Sequence, residues 1–277
     1  MYNSGNPCKF DPHRLIPCHI RMGIKGLFTF LKRWDTVVPV IEAIKGKRIA
    51  IDLFWFLHRT KGNFSKLQAS LQPFLDHAQH LHVVIDGTET TEQRRAELDE
   101  RQEYRKEKQS VLDEIIHTLE RVDWGEDSRM ILERYRNQLR SQIWTPSPEY
   151  IQQTVAWLLG FSHVTTIRTV GEADAMLYQL EQQVDLVVSN DSDLVVQGVN
   201  RLLRINTNLD GSARIFDKQA VIRHLAFTEQ QWDDFLWLVQ HMKSTDILLA
   251  FSLISVYRGK DRAMMRWKEM HGLELTH

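Results

Sequence analysis

In the stretch DLVVSNDSDLVVQG, residues 185–198, two runs of valine and leucine flank Asn190-Asp191-Ser192-Asp193, so two carboxylates stand two residues apart where the chain leaves an apolar segment. Burying a carboxylate is unfavourable unless a partner compensates it, and like charges held close repel further, so the pair makes chemical sense beside a cation. A solvated turn reads the same way, and the pair alone does not separate the two. Other acids occupy comparable settings. Asp52 and Asp86 close the apolar runs RIAID and LHVVID, GEADAM (171–176) brings Glu172 and Asp174 to the start of a helix, and Asp246 follows an amphipathic segment at 232–242. Seven carboxylates with no histidine or cysteine among them suit hard cations, which take oxygen ligands. Two such ions about 4 Å apart can activate a water and stabilise both oxygens of an in-line phosphodiester displacement. The chemistry indicated is hydrolysis of nucleic acid with two Mg²⁺ ions, Mn²⁺ being an able substitute.

The elements that must position these acids read as an α/β domain: from Met22 onward short apolar runs alternate with amphipathic stretches, which predicts a largely parallel sheet flanked by helices. Candidate strands are 48–52, 81–86, 163–167 and 185–189. In open parallel sheets ligands bind beyond the carboxyl ends of strands, so Asp52, Asp86 and the 191/193 pair are expected at one edge. Between about 88 and 147 no strand signal appears, and 92–140 reads as a charged helical insertion. Residues 92–108 hold six basic and six acidic side chains, consistent with a solvated helix, yet Arg94, Arg101 and Lys108 recur every seven residues and share a face that could guide phosphates. A helix starting near Pro146 and Pro148 ends at Gly160. LLRINTNLDGSARIF (202–216) reads as a hairpin turning at Asp210-Gly211, Thr228 to Gln231 as a capping box, and the basic tail 254–270 as one amphipathic closing helix.

Composition narrows the classes further. Across 277 residues the formal net charge is −1, so no global basic field exists and any polyanion site must be local. Both cysteines, Cys8 and Cys18, fall in the first 21 residues, which argues against a disulfide-stapled secreted fold. The longest apolar run, 247–257, is too short to span a bilayer, so the chain reads as soluble and intracellular with no membrane partner. Residues 1–21, with Pro7, Pro12 and Pro17 and no periodicity, read as a disordered leader or an unused upstream start before Met22. Cys8, His13, Cys18 and His19 fit none of the common zinc-finger spacings.

Taken in order, these motifs resemble the flap endonuclease and XPG family of structure-specific 5′ nucleases, with the exonuclease 1 branch nearest. MGIKGLFTFLK (22–32) is similar to the family's N-terminal signature and IAIDLFWFLHRTKG (49–62) to its first aspartate block; VVIDG (83–87), GEADAM, SNDSDLV (189–195) and the 235–246 segment follow in family order. The resemblance implies a PIN-like 5′ nuclease fold over 22–277 with a helical arch, substrates of DNA with 5′ flaps, nicks or ends, a role in DNA replication or repair, and placement in the nucleus. It implies Asp52, Asp86, Glu172 and Asp174 as one set of metal-binding acids and Asp191, Asp193 and Asp246 as the second. His58 stands where the family places a ring that stacks on the terminal base. Arg94 and Arg101 fall near a basic pair that polarises the scissile phosphate; an insertion after Asp86 keeps Arg95 and Arg105 as alternatives, and Lys108 extends the nucleic-acid-binding face. Gly23 would be the functional N-terminus, close to the active site. Two departures stand out: Lys243-Ser244-Thr245 precedes Asp246 where the family has Gly-Cys/Ser, and the glycine-bearing helix-hairpin-helix is missing, since 247–277 hold only Gly259 and Gly272. A catalytically silent nucleic-acid-binding scaffold and a 5′ exonuclease acting on RNA remain as alternatives.

Overall fold

A computed structural model describes residues 24, 26–87, 92–121, 125–206, 211–242 and 246–271, the side chains of Gln93, Arg94 and Glu97 excepted. The leader, Gly23 and residues 243–245 lie outside the described residues. In chain order the elements are α1 (Leu27–Leu31), β1 (Thr36–Pro39), α2 (Val40–Ile44), β2 (Arg48–Asp52), α3 (Leu53–Thr60), α4 (Phe64–His77) and β3 (His80–Ile85). There follow α5 (Glu92–Arg121), α6 (Glu126–Ile143), α7 (Pro148–Leu158), β4 (Val164–Arg168), α8 (Ala173–Leu180), β5 (Leu186–Val188) and α9 (Asp193–Gln197). The chain closes with β6 (Arg201–Ile205), β7 (Ser212–Asp217), α10 (Lys218–Leu225), α11 (Glu229–His241), α12 (Ile247–Tyr257) and α13 (Lys260–Met270).

The strands form one sheet in the order β1-β7-β6-β5-β2-β3-β4, in which β6, β5, β2, β3 and β4 run parallel and β7 and β1 add antiparallel edges. From β2 the chain builds outward to β3 and β4, then returns to lay β5 on the other side of β2. The order therefore reverses between β2 and β5, which places a crevice outside the carboxyl ends of these two strands. Asp52 ends β2, and the 191/193 pair follows β5. Apolar side chains cover both faces: Ile49, Ile51, Leu81 and Val83 pack with Phe56 and Phe74 on one, Ala50, Val84 and Val187 with Leu177, Trp232 and Phe235 on the other. Each fully buried side chain of this size contributes roughly 1.5–3 kcal/mol.

Local chemistry fixes the helix starts. Asn63 accepts from the Lys66 N–H at 2.9 Å, Ser147 accepts from the Tyr150 N–H just before Pro148, and Thr228 and Gln231 form the expected capping box. In the insertion α5 and α6 pair through Leu112, Ile115 and Leu139. At 1.5 Å per residue, α5 is roughly 45 Å long, so its charged N-terminal half has no apolar face to bury. β1, TVVP, has no counterpart in the sequence reading and pairs with β7. The tail differs from the single closing helix expected: it breaks at Arg258, held at φ 53°, and Gly259, so α12 and α13 are separate helices.

Candidate active site

Three strand ends and one helix start supply the acids. Asp52 leaves β2 and caps α3, its Oδ1 accepting the Phe54 N–H at 2.9 Å. Burial, then the neighbouring charge of Asp86 and more weakly that of Asp191, push its carboxyl up to about 7 against two backbone hydrogen bonds that favour ionisation. Asp174, in the first turn of α8, is pushed up to about 8 by burial first and then by Asp191, Asp52, Asp193 and Glu172. Asp191 is oriented by the Ser189 hydroxyl, which accepts its N–H at 3.1 Å, while its Oδ1 accepts the Asp193 N–H at 2.9 Å. Asp193 is itself buried, and Glu172 is exposed at the N-cap of α8. Asp52, Asp86, Glu172, Asp174, Asp191 and Asp193 thus share one field.

Asp86 ties two of these elements together: its Oδ1 accepts the Ala173 N–H at 2.7 Å, seating the start of α8 against the end of β3. The next residue explains why VVIDG ends in glycine. A Cβ at Gly87 would stand 2.1 Å from the Val170 carbonyl oxygen and 2.2 Å from that of Thr169, so only glycine lets the β3 exit pass the 169–171 loop. The Gly87 N–H donates to the Gly171 carbonyl at 2.7 Å. Asp246 stands differently. It is exposed, caps α12 by accepting the Leu249 N–H at 2.9 Å, and is not among the charges that shift Asp52 or Asp174.

Basic groups gather around His58. His58 is exposed on α3, and desolvation together with Arg105 and Arg101 of α5 lowers its pKa, while Asp86 pulls the other way. Arg101 and Arg105 therefore approach His58 from the insertion, and the Arg105 Nε–H donates to the Arg101 carbonyl at 3.1 Å. Lys108 lies over the Tyr104 ring at 5.2 Å, and Arg95 is exposed one and a half turns before Arg101. The side chain of Arg94 and all of Gly23 lie outside the described residues. Sequence reasoning gave no weight to Trp144, a lone tryptophan at a helix end whose ring meets that of His58 at 5.7 Å and 90°.

Similar folds occur in the catalytic core of Rad2 in complex with DNA substrate, with a TM-score of 0.59 and 12% identity over 92% of this chain and 77% of that one. Flap endonuclease-1 from Methanococcus jannaschii matches with a TM-score of 0.53 and 14% identity over 82% and 76% of the two chains. The Holliday junction-resolving enzyme GEN1 in complex with product DNA and Mg²⁺ matches with a TM-score of 0.51 and 18% identity over 89% and 55%. The fold is that of the 5′ nucleases. The PIN-like 5′ nuclease fold expected from the motifs is present, with acids from β2, β3, β5 and α8 gathered at its switch point. No protein-family profile and no curated protein matches the sequence.

Among the described residues no group of three or more His, Cys, Asp or Glu side chains is arranged to hold a metal ion as it stands. The donor chemistry nevertheless fits Mg²⁺. All the candidate ligands are carboxylates, and Asp52, Asp86 and Asp191 are each oriented by a backbone N–H held through Oδ1, which suits them to a hard cation that takes oxygen donors.

Proposed function

We propose that this chain is a Mg²⁺-dependent, structure-specific 5′ nuclease of the flap endonuclease and XPG family, nearest its exonuclease 1 branch, that hydrolyses DNA at or near 5′ ends by flap incision, exonucleolysis or both. One observation carries the reading: Asp52, Asp86, Glu172, Asp174, Asp191 and Asp193 share one field at the sheet's switch point, where burial first and mutual repulsion second raise Asp52 and Asp174. A silent scaffold gains nothing from burying mutually repelling acids, whereas a cation would compensate them. Asp52, Asp86, Glu172 and Asp174 are the candidates to hold one ion and Asp191 and Asp193, with Asp246, the second. Such ions, when bound, supply an activated water and neutralise charge on the scissile phosphate.

The chain's own groups do the positioning. Asp86 locks α8, with Glu172 and Asp174, onto the end of β3. Arg101 and Arg105, near His58, are the candidates to engage phosphate oxygens, for which the guanidinium fork is well matched. His58, held largely neutral, offers a ring rather than a charge to a terminal base. The corresponding cellular role is DNA replication or repair, in the nucleus.

The test is cleavage of labelled 5′-flap, nicked and blunt duplex DNA and of matching RNA, with Mg²⁺, Mn²⁺ or EDTA, beside Asp191→Ala. Expected are metal-dependent cuts near DNA 5′ junctions, abolished in the variant while DNA binding persists. Cleavage of RNA alone would favour the RNA exonuclease, and binding without cleavage of any substrate would leave the silent scaffold.

A further inference from the structure

Trp144 follows α6 directly, at the foot of the insertion, and its indole is held by three contacts. It meets the His58 ring of α3 at 5.7 Å and 90°, and the Tyr150 ring of α7 at 6.1 Å and 86°. Just beyond α3, a Cβ on Gly62 would come within 3.3 Å of the indole Nε1. Gly62 also holds φ at +77°, so that turn is open to glycine on two counts. Tyr150 is fixed in turn, its hydroxyl 3.5 Å from the Thr60 hydroxyl and its ring 6.3 Å from that of Phe64. The indole therefore sits in a socket made by the end of α3 and the start of α7.

His58 has no such socket. It is exposed, with the Phe54 ring 6.4 Å away on its own helix and the indole of Trp144 as its ring contact from another element. An exposed side chain exchanges rotamers within nanoseconds unless something restrains it. α3 is capped by Asp52, and Arg101 and Arg105 of α5 act electrostatically on His58. The ring thus meets Trp144 and lies within the electrostatic reach of Arg101 and Arg105 of α5 and of Asp86, one of the clustered acids.

We infer that Trp144 is a positioning residue: it fixes the orientation of the His58 ring and so sets the register in which the terminal nucleotide of a 5′ end lies across the acids. The role in register rests on the nuclease reading above; the contact itself does not. The edge-to-face arrangement needs an aromatic ring at 144, so phenylalanine should serve and an aliphatic side chain of similar bulk should not.

Two measurements on the full chain separate the parts. By NMR, without nucleic acid, the wild type should show nuclear Overhauser contacts between the Trp144 indole and the His58 imidazole, and the ring-current shift of the His58 protons should persist in Trp144→Phe and vanish in Trp144→Leu. On a 5′-labelled flap, Trp144→Leu should scatter the cut positions and lower kcat about tenfold with little change in KM, Trp144→Phe should match wild type, and Trp144→Leu should add nothing in a His58→Ala background. Absence of the Overhauser contact in the wild type, or losses that simply add in the double variant, would overturn the inference. If the wild type cleaves nothing, the nuclease reading and the register claim fall together, while the NMR result still decides whether Trp144 orients His58. The wild-type Overhauser measurement needs no variant, so a Trp144→Leu chain that fails to fold does not shelter the proposal.

Discussion

At neutral pH without a cation, Asp52 sits near the midpoint of its titration and Asp174 is mostly protonated, because burial and neighbouring carboxylates have raised them to about 7 and about 8. The folded chain therefore binds protons that the unfolded chain, titrating near 3.8, has already released. Where the native state binds more protons, stability falls as pH rises. In EDTA, the Tm should decline between about pH 4 and pH 8, the window bounded by these unfolded and folded values. Added Mg²⁺ favours the ionised carboxylates, so its stabilising effect should be small near pH 5.5 and grow toward pH 8. Melting curves across that range check both signs, and a Tm indifferent to pH and to Mg²⁺ would mean that the acids are not coupled. Replacing one raised carboxyl by a neutral amide that does not titrate isolates the effect. Asp174→Asn should stabilise the metal-free chain by about 1–2 kcal/mol, within the range reached when a strained functional site is relieved, and should blunt the response to Mg²⁺ in the same melts. At this scale the sequence was informative about acids, because a carboxylate ending an apolar run is conspicuous. It was silent on Trp144, whose importance comes from a contact with α3, more than eighty residues earlier in the chain. Asp246, grouped with the second set through the family resemblance, is an exposed cap of α12.

Among the elements, the passage from β3 to the insertion tolerates least change. Gly87 runs so close to the Thr169 and Val170 carbonyls that even one methyl group would force the β3 exit away from the loop preceding α8. Since Asp86 holds the Ala173 N–H across that same junction, displacement would carry Glu172 and Asp174 away from Asp52. Gly87→Ala should therefore lower stability by about 3 kcal/mol, the upper end of overpacking effects, and depress the Tm by about 6–12 °C for a chain of this size. Any cleavage activity should fall further than stability alone explains, which thermal melts and initial rates below the melting transition will separate. The four strands named from the sequence fall within a residue or two of β2, β3, β4 and β5; β2, β3 and β5 carry apolar residues buried on both faces, whereas β4, VTTIR, is a largely open edge strand marked by its β-branched residues. β1 escaped notice because a four-residue, mostly exposed edge strand ending in proline carries no alternation. The break between α12 and α13 was hidden too: Arg258 adopts a left-handed conformation that its side chain does not advertise.

For the whole molecule the question is how a chain of net charge −1 can hold a polyanion. The answer the fold suggests is separation: the acids gather at the switch point, while Arg101 and Arg105 of α5 lie where His58 senses both. Phosphate contacts made there should release counterions, so the logarithm of the DNA affinity should fall linearly with that of salt concentration, by about 0.9 for each duplex phosphate neutralised. Arg101→Ala and Arg105→Ala should each lower that slope by about one phosphate equivalent and weaken binding similarly for all sequences. Arg129, on the exposed face of α6 and paired with Glu133 at 3.4 Å, provides the internal control. Its removal should leave the slope unchanged, because a surface ion pair elsewhere on the insertion contributes little to the field at the crevice. Fluorescence anisotropy with a 5′-flap DNA in EDTA, titrated with KCl, measures all four proteins on one axis. Equal slopes for all four would show that binding is spread over the surface rather than directed by the inserted helix. A loss confined to Arg101 and Arg105 would show that an almost neutral chain concentrates its positive field where the acids wait for a cation.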